Sequence, residues 1–303
     1  MRSLIAALLV LLCISPYSYS QTPGADGPKA VLVTGASTGI GRKITEHLAA
    51  RGYFVYAGAR KQADLDALNA IKNVQAVKLD VTKQEDIDAA LATITKANRG
   101  LYGLVNNAGI ATLGSVSETS MEEFNLLMDV NVYGPYRMTK AFTPLIVAGK
   151  GRITNIGSIS GVLAGRDLSA YSMSKHAIEA FTDSLAAQMA PAGVQVNVVE
   201  PGNFDSDIGK SAAKRTGKEN RMADRSKYKK PDEVAAAVEQ ALFEATPKRR
   251  YMVTPDQGEA ERTIRKQLEQ LVQLNEGHLY TYDREALIKM LDEALATARP
   301  RSK

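Results

Sequence analysis

The sequence predicts an α/β fold in which a seven-stranded parallel sheet carries helices on both faces and is followed by a helical C-terminal extension. Two observations support this prediction. Short apolar runs alternate with amphipathic stretches, such as the helical i, i+3, i+7 spacing of Ile178, Phe181 and Leu185. The runs are rich in apolar residues, as expected for parallel strands that are buried on both faces of a sheet.

Seven short apolar runs are the predicted strands. In chain order they are residues 30–34, 54–58, 74–81, 101–109, 151–158, 194–202 and 250–254. The pattern then changes to two amphipathic stretches, 259–277 and 284–298, with no strand between them. We therefore expect one α/β domain over residues 29–255 and a helical extension, 256–303, packed on that domain.

Residues 1–20 differ from the rest of the chain and precede a short polar linker, 21–28. The apolar run Leu4–Ile14 is too short to span a bilayer comfortably, but it has the length of a signal-peptide core. Small residues at Ser18 and Ser20 suit cleavage by a signal peptidase. We expect a cleaved export signal, with an uncleaved membrane tether and an incidental apolar start as the alternatives.

The composition excludes several kinds of site. The single cysteine, Cys13, allows no intrachain disulfide and no cysteine-based metal site. The three histidines, His47, His176 and His278, lack the spacing of a zinc or iron site, so we expect no metal. Tryptophan is absent and aromatic residues make up 6% of the chain, which argues against a stacking platform for nucleic acid.

Positive charge is concentrated in one segment. Residues 210–230 hold nine Lys or Arg against Glu219 and Asp224, a local surplus of +7, whereas the whole chain carries +5. The remainder is near neutral, which excludes a general polyanion binder. Because the segment follows the sixth predicted strand, two interpretations stay open. One is a solvated mobile lid, and the other is recognition of an anionic substrate or an acidic membrane surface.

A glycine-rich turn, "VTGASTGIGR", follows the first predicted strand and leads into a helix. Its glycines are Gly35, Gly39 and Gly41. Such a turn exposes backbone N–H groups, a residue without a side chain lets a pyrophosphate approach, and the helix N-terminus supplies positive potential. The turn therefore predicts nucleotide binding.

The end of the second predicted strand indicates which nucleotide. An acidic residue there would bond the adenosine ribose and repel a 2′-phosphate. This chain has Ala59, Arg60 and Lys61 instead, and the nearest downstream acid is Asp64. With Arg42 just beyond the glycine turn, these cations favour NADP(H) over NAD(H). The alternative is that they are solvated surface charges.

Two further strand ends carry polar residues. Asp80 follows the third strand and is expected at the adenine edge, or as a helix N-cap, and both roles can hold together. The fourth strand ends in "NNAG", Asn106–Gly109. Ligands bind at the carboxyl ends of the strands in open α/β sheets, so both segments are candidates for the site.

Asn131 interrupts a long apolar helix pattern, "FNLLMDVNVYGPYRMTKAF". Asn competes with the helix for backbone hydrogen bonds, so a buried one needs a reason. It is either a satisfied helix kink, or its side chain or backbone carbonyl fixes a water in the active site.

The fifth strand and the helix that follows it hold the candidate chemistry. Ser158 ends the strand thirteen residues before Tyr171, with Ser160 as a rival, and Lys175 lies one helical turn beyond Tyr171. Ser158 would hydrogen-bond a substrate oxygen while Tyr171 exchanges a proton with it. The positive charge of Lys175 favours tyrosinate and so suits a tyrosine acid/base.

These residues resemble the short-chain dehydrogenase/reductases of the classical type. The motifs that carry the resemblance, in order, are Thr34-Gly35-xxx-Gly39-x-Gly41, Asn106-Asn107-Ala108-Gly109, Asn131, Ser158, Tyr171-xxx-Lys175 and Pro201-Gly202. The resemblance covers residues 28–255. It implies a doubly wound Rossmann fold with strand order 3-2-1-4-5-6-7, and a homo-oligomer, dimer or tetramer, built on the helices of Asn131 and Tyr171.

The resemblance also implies an oxidoreductase that moves hydride between a nicotinamide cofactor and a carbonyl or secondary alcohol, and the cations named above favour NADP(H) as that cofactor. The implied catalytic residues are Asn131, Ser158, Tyr171 and Lys175. The expected cofactor contacts are Thr34, Gly35, Ser37, Thr38, Gly39, Ile40, Gly41, Arg42, Arg60, Lys61, Asp80, Val81, Asn107, Ala108, Gly109, Tyr171, Lys175, Pro201, Gly202 and Ser206.

The chain departs from the family pattern in three places. Ser206 stands where many relatives have a Thr that contacts the nicotinamide carboxamide. The helical extension is outside the common core, so its role is not inherited. An export signal is unusual, because NADP is kept in the cytosol; a membrane tether would place the enzyme near a bilayer.

Two other functions are compatible with a nucleotide-binding fold, and the sequence argues against both. A non-catalytic nucleotide-binding regulatory protein would be expected to lose the four catalytic residues, which are all present. A nucleotide-sugar epimerase or dehydratase usually has TGxxGxxG spacing and a larger C-terminal domain. This chain has GxxxGxG spacing and a shorter C-terminal extension.

Overall fold

The computed structural model describes residues 27–219 and 228–297. The predicted export signal, most of the linker and part of the basic segment lie outside these residues. Seven strands form one sheet: β1 Ala30–Val33, β2 Phe54–Ala59, β3 Val74–Lys78, β4 Gly103–Asn106, β5 Arg152–Ile156, β6 Gln195–Pro201 and β7 Arg250–Val253.

All neighbouring strands are parallel, in the order β3-β2-β1-β4-β5-β6-β7. The prediction of a doubly wound sheet is therefore confirmed. The order of the strands changes direction between β1 and β4, which opens a crevice at the carboxyl ends of the strands. Most predicted strands extend beyond the observed ones, and the excess residues 79–81, 107–109 and 202 form loops at this same edge.

The described helices are α1 Gly39–Ala50, α2 Gln62–Asn69, α3 Gln84–Lys96, α4 Met121–Met128, α5 Gly134–Ala148, α6 Ser169–Met189, α7 Ile208–Thr216, α8 Asp232–Phe243, α9 Gln257–Asn275 and α10 Arg284–Thr297. A π-helical segment, Asp129–Tyr133, joins α4 to α5, and a 3₁₀ turn, Ile159–Gly161, follows β5.

Two hydrophobic cores lie on opposite faces of the sheet. Val31 and Val33 of β1 pack into the core that includes helices α1 and α8, whereas Leu32 points into the core that includes α3, α5 and α6. This alternation follows from the two-residue period of a strand. Burying such aliphatic side chains stabilises the fold by about 1.5–3 kcal/mol each.

The two expected C-terminal helices are α9 and α10. Helix α9 buries Glu259 and Thr263, whereas no side chain in the described part of α10 is buried. The extension is therefore anchored through the first turns of α9. Within the described chain, no helix combines the length and the apolar character needed to cross a bilayer.

Candidate active site

The glycine turn and the end of β4 form one hydrogen-bonded unit. The Thr34 hydroxyl accepts the N–H groups of Asn107 (3.0 Å) and Ala108 (2.9 Å). The Asn107 side-chain amide donates to the carbonyl oxygens of Thr34 (2.8 Å) and Gly35 (3.1 Å). Thr34 is only 1% exposed, and its hydroxyl holds the turn against the end of β4. The side-chain amide of Asn107 also stabilises the turn, through its hydrogen bonds to the Thr34 and Gly35 carbonyls.

Close approach explains two of the glycines. Gly35 has φ +65°, and a Cβ there would lie 2.8 Å from the Ala108 Cα. A Cβ at Gly41 would overlap the Gly35 carbonyl and the Asn107 amide. The turn can therefore pack against the end of β4 only without side chains at these positions. A Cβ at Gly39 would lie 3.3 Å from the Ser206 Cβ, so the loop after β6 reaches the same turn.

A cavity of about 390 Å³ lies beside the turn, between the end of β2 and the start of α7. Its lining residues are Ser37, Thr38, Arg60, Lys61, Asp64, Asp207, Lys210, Ser211 and Lys214. Four cations and three hydroxyl groups face two carboxylates there. Lys210 and Lys214 were not among the predicted contacts, although their i, i+4 spacing places both on one helix face.

Two of the four cavity cations have no acidic partner in the part of the chain that the structure describes. Among the described residues, no carboxylate lies within 4 Å of the Lys61 or the Lys214 ammonium. Lys210 is 4.0 Å from Asp207, and Arg60 is 3.9 Å from Asp80. The cavity therefore carries unbalanced positive charge, as expected of a site for a phosphate group.

Arg42 does not join this group. Its guanidinium pairs with Glu46, one turn along α1, at 2.6 Å, and it does not line the cavity. The predicted cluster of Arg42 with Arg60 and Lys61 is therefore not formed. Glu46 lies at the i+4 position and reaches Arg42 first.

Asp80 and Val81 support the loop after β3. The Asp80 carboxylate accepts the Thr82 N–H (3.1 Å) and hydroxyl (2.8 Å), which forms an Asx turn. The residue that precedes α3 is Lys83, so Asp80 is not the N-cap of that helix. Val81 is buried, and a Cβ on Gly134 would lie 2.8 Å from its side chain.

Helix α6 holds the tyrosine and the lysine. The Lys175 ammonium donates to the Ile156 carbonyl at 2.9 Å and lies 5.7 Å from the centre of the Tyr171 ring. Lys175 is only 6% exposed, and this burial lowers its pKa to about 8, an effect that Glu179 opposes. A lysine with a pKa near 8 is still mostly protonated at neutral pH and exchanges its proton readily.

Ser158 follows β5 closely and is buried. Its hydroxyl accepts the Ser160 N–H at 3.1 Å and so caps the 3₁₀ turn Ile159–Gly161. The backbone of Ser160, the rival residue, thus orients the Ser158 side chain.

Asn131 lies in the π-helical segment and is 2% exposed. Its side-chain oxygen accepts the Ile110 N–H, and its amide donates to the Ile110 carbonyl, both at 2.9 Å. Its amide also donates to the Ser174 hydroxyl at 3.0 Å. The side chain is therefore committed to protein partners. Pro135, four residues on, has no N–H to offer the Asn131 carbonyl in the α-helical pattern.

Ser174 is a residue that sequence reasoning missed. It is fully buried, and its hydroxyl donates to the Tyr171 carbonyl at 2.7 Å while it accepts from Asn131. It therefore connects the π-helical segment to the first turn of α6. Its position three residues after Tyr171, inside a helix, was the available signal.

Sequence reasoning also missed a buried carboxylate pair behind Lys175. Arg250 of β7 lies 3.1 Å from Glu179 and 3.9 Å from Glu200. Burial raises the pKa of Glu200 to about 8, and the neighbouring Glu179 contributes to this rise. Burial likewise raises the pKa of Glu179. One shared proton therefore suits this pair at neutral pH.

Comparisons with known proteins identify the family of this chain. The sequence matches the short chain dehydrogenase family over residues 29–217, and the chain belongs to that family. It is 41% identical to the mitochondrial D-beta-hydroxybutyrate dehydrogenase of Bos taurus over 198 residues, which are 62% of this chain and 57% of the relative. The chain thus spans less than two thirds of the length of the curated relatives that it matches first.

Solved structures of other proteins share the fold. A short-chain dehydrogenase from Streptomyces avermitilis is 29% identical, with a TM-score of 0.69 over 91% of this chain and 100% of that one. A single-residue variant of actinorhodin polyketide ketoreductase, solved with NADPH, is 27% identical, with a TM-score of 0.67 over 75% of this chain and 96% of that one.

Proposed function

We propose that this protein is an NADP(H)-dependent oxidoreductase that interconverts a carbonyl compound and a secondary alcohol. The observation that carries the proposal is the Lys175 ammonium, buried, held by the Ile156 carbonyl and one helical turn from Tyr171. Burying a charged group is costly, so such a lysine is a candidate for a functional role. The nicotinamide cofactor, when bound, supplies or accepts the hydride.

Tyr171 is the general acid in reduction and the general base in oxidation. A free phenol has a pKa near about 10, which is too high for efficient exchange at neutral pH. The Lys175 charge stabilises tyrosinate and thus brings Tyr171 closer to the working range. Lys175 also presents its remaining donors to the nicotinamide ribose.

Ser158 and Asn131 act beside this pair. The Ser158 hydroxyl donates to the substrate oxygen that exchanges a proton with Tyr171. Since the Asn131 side chain is committed to Ile110 and Ser174, its backbone carbonyl is the group that holds a water next to Lys175. That water links Lys175 to solvent and so replaces the proton that Tyr171 transfers to the substrate in reduction.

The cavity beside the glycine turn supports NADP(H) as the cofactor. A 2′-phosphate is a dianion near neutral pH, and the Lys61 and Lys214 ammonium groups of the cavity have no carboxylate partner within the described chain. No acidic residue stands at the end of β2, where it would select the unphosphorylated cofactor.

Turnover of NADPH and NADH on a broad panel of ketones, with protein that starts at Gln21, tests the proposal. We expect oxidation of NADPH with at least one ketone, and a higher kcat/KM for NADPH than for NADH. Binding of NADPH without turnover on any substrate would instead support a regulatory protein.

We propose that the protein is a homo-oligomer and that residues 1–20 direct it to a membrane or out of the cytosol. Tyr133, Tyr136 and Met173 are exposed apolar side chains on the π-helical segment, α5 and α6. A subunit interface would cover such a patch. Sedimentation of a Tyr136→Glu variant tests the subunit interface. Fractionation of cells that express either the full chain or the chain from Gln21 tests the role of residues 1–20.

A further inference from the structure

The loop after β6, residues 202–206, runs from the edge of the sheet to the glycine turn. The Gly202 N–H donates to the Val253 carbonyl at 2.7 Å, and Phe204 is buried in the core. Ser206 at the end of the loop lies against Gly39. The position of this loop therefore decides how closely Ser206 approaches the turn.

Glu259 of the C-terminal extension holds this loop from behind. One of its carboxylate oxygens accepts the Asn203 N–H at 2.9 Å, and the other accepts the Asn203 side-chain amide at 2.6 Å. A Cβ on Gly202 would overlap the same carboxylate. Glu259 thus occupies the space that a side chain at Gly202 would fill.

The carboxylate is also buried, and no cation of the described residues pairs with it. Glu259 is 4% exposed, and within the described chain no Lys or Arg lies within 4 Å of it. Such a charge is costly unless its hydrogen bonds are well satisfied. The N-cap residue Asp256 accepts the Glu259 N–H at 2.9 Å, and the Thr263 hydroxyl donates to the Glu259 carbonyl at 2.8 Å. The turn of α9 that presents the carboxylate is therefore fixed.

We propose that Glu259 is a positioning residue for the cofactor. Through Asn203 it fixes the loop 202–206 against the glycine turn, and so gives the C-terminal extension a role in dinucleotide binding. The inference relies on the proposed function, since it assumes that this loop covers the nicotinamide half of the cofactor.

An exchange of the two hydrogen-bonding groups tests the inference. Glu259→Gln keeps an acceptor oxygen for the Asn203 backbone N–H, but it places the Gln NH2 group opposite the Asn203 NH2 group. A rotation of the Asn203 side-chain amide by 180° brings its oxygen to the Gln NH2 group and relieves this conflict. Asn203→Asp puts two carboxylates together. The double variant restores one donor opposite one acceptor. The measurement is the Kd of NADPH, followed by the cofactor's own fluorescence, since the chain has no tryptophan.

We expect Asn203→Asp to raise the Kd of NADPH about tenfold, since a hydrogen bond to a charged group is lost and a repulsion is gained. The double variant should recover most of that loss, and Glu259→Gln alone should change the Kd less. Glu261→Gln, on the exposed face of the same helix, is the matched control and should leave the Kd unchanged.

The thermal midpoint of each variant separates positioning from support of the fold. Lower midpoints with an unchanged Kd would overturn the inference, as would a double variant that binds no better than Asn203→Asp. A wild-type protein that binds no dinucleotide would contradict the proposed function itself, and that result is visible before any variant is made.

Discussion

The Asn131 side-chain amide donates to the Ser174 hydroxyl at 3.0 Å, and Ser174 in turn donates to the carbonyl of Tyr171. This chain of two bonds ties the π-helical segment to the first turn of α6. The position of the candidate acid/base therefore depends on a serine that is not part of the expected catalytic set.

Ser174→Ala should lower the free energy of unfolding by about 1–3 kcal/mol, because it leaves the buried Asn131 amide with one partner fewer. Turnover should fall as well, because the first turn of α6, which positions Tyr171, loses the hydrogen bond from the Ser174 hydroxyl to the Tyr171 carbonyl. Chemical denaturation and steady-state kinetics measure the two effects.

Ser172→Ala is the matched control for that variant. Ser172 is two residues away on the same helix and 3% exposed, and its hydroxyl has no hydrogen-bond partner among the described residues. Its replacement should leave stability unchanged or raise it. Equal losses in the two variants would contradict a specific part for Ser174.

Lys214→Met should raise the KM for NADPH by roughly fivefold and leave the KM for NADH nearly unchanged, since only the phosphorylated cofactor brings a dianion to the cavity. The difference should shrink as salt rises, because the lysine is solvent-exposed. Lys229→Met is the control, because Lys229 belongs to the same basic segment but lies 3.7 Å from Glu233. Equal effects on both cofactors would show that Lys214 does not face the phosphate.

The ionisation of Glu200 should lower the free energy of unfolding as the pH rises. Its pKa is raised to about 8 in the folded protein, so the folded state favours the protonated acid. The stability that this proton contributes is complete below about pH 4.5 and is lost as the pH rises toward 8. Glu200→Gln cannot ionise, so its advantage over the wild type should grow between about pH 5 and pH 9.

The growth in that advantage should be on the order of a few kcal/mol, which corresponds to a shift of several degrees in thermal midpoint. Asp183→Asn is the control, because Asp183 pairs with the same Arg250 at 2.7 Å but is exposed. Parallel stability curves for the wild type and Glu200→Gln across this pH range would contradict the assignment.

The fold could be predicted because its signals are local. The strands are short runs rich in apolar residues, and the glycine turn and the Tyr171–Lys175 spacing are each recognisable within about ten residues. The helices of the extension were also predicted, because amphipathic periodicity needs no knowledge of distant contacts.

The parts that could not be predicted depend on tertiary contacts. Lys214 reaches the cavity only because α7 folds back over the end of β2, a strand from the first quarter of the chain. Glu259 meets Asn203 across 56 residues. Arg42 shows the opposite case, since its partner Glu46 lies one helical turn away and a local i, i+4 pattern would have identified it.

The central claim is that Tyr171 transfers the proton, and Tyr171→Phe tests it most directly. The variant keeps the ring and loses only the hydroxyl, so NADPH should bind with nearly the wild-type Kd. Turnover of the best ketone should fall by orders of magnitude, about 10²-fold or more. Retention of most of the turnover, with NADPH binding unchanged, would contradict the account.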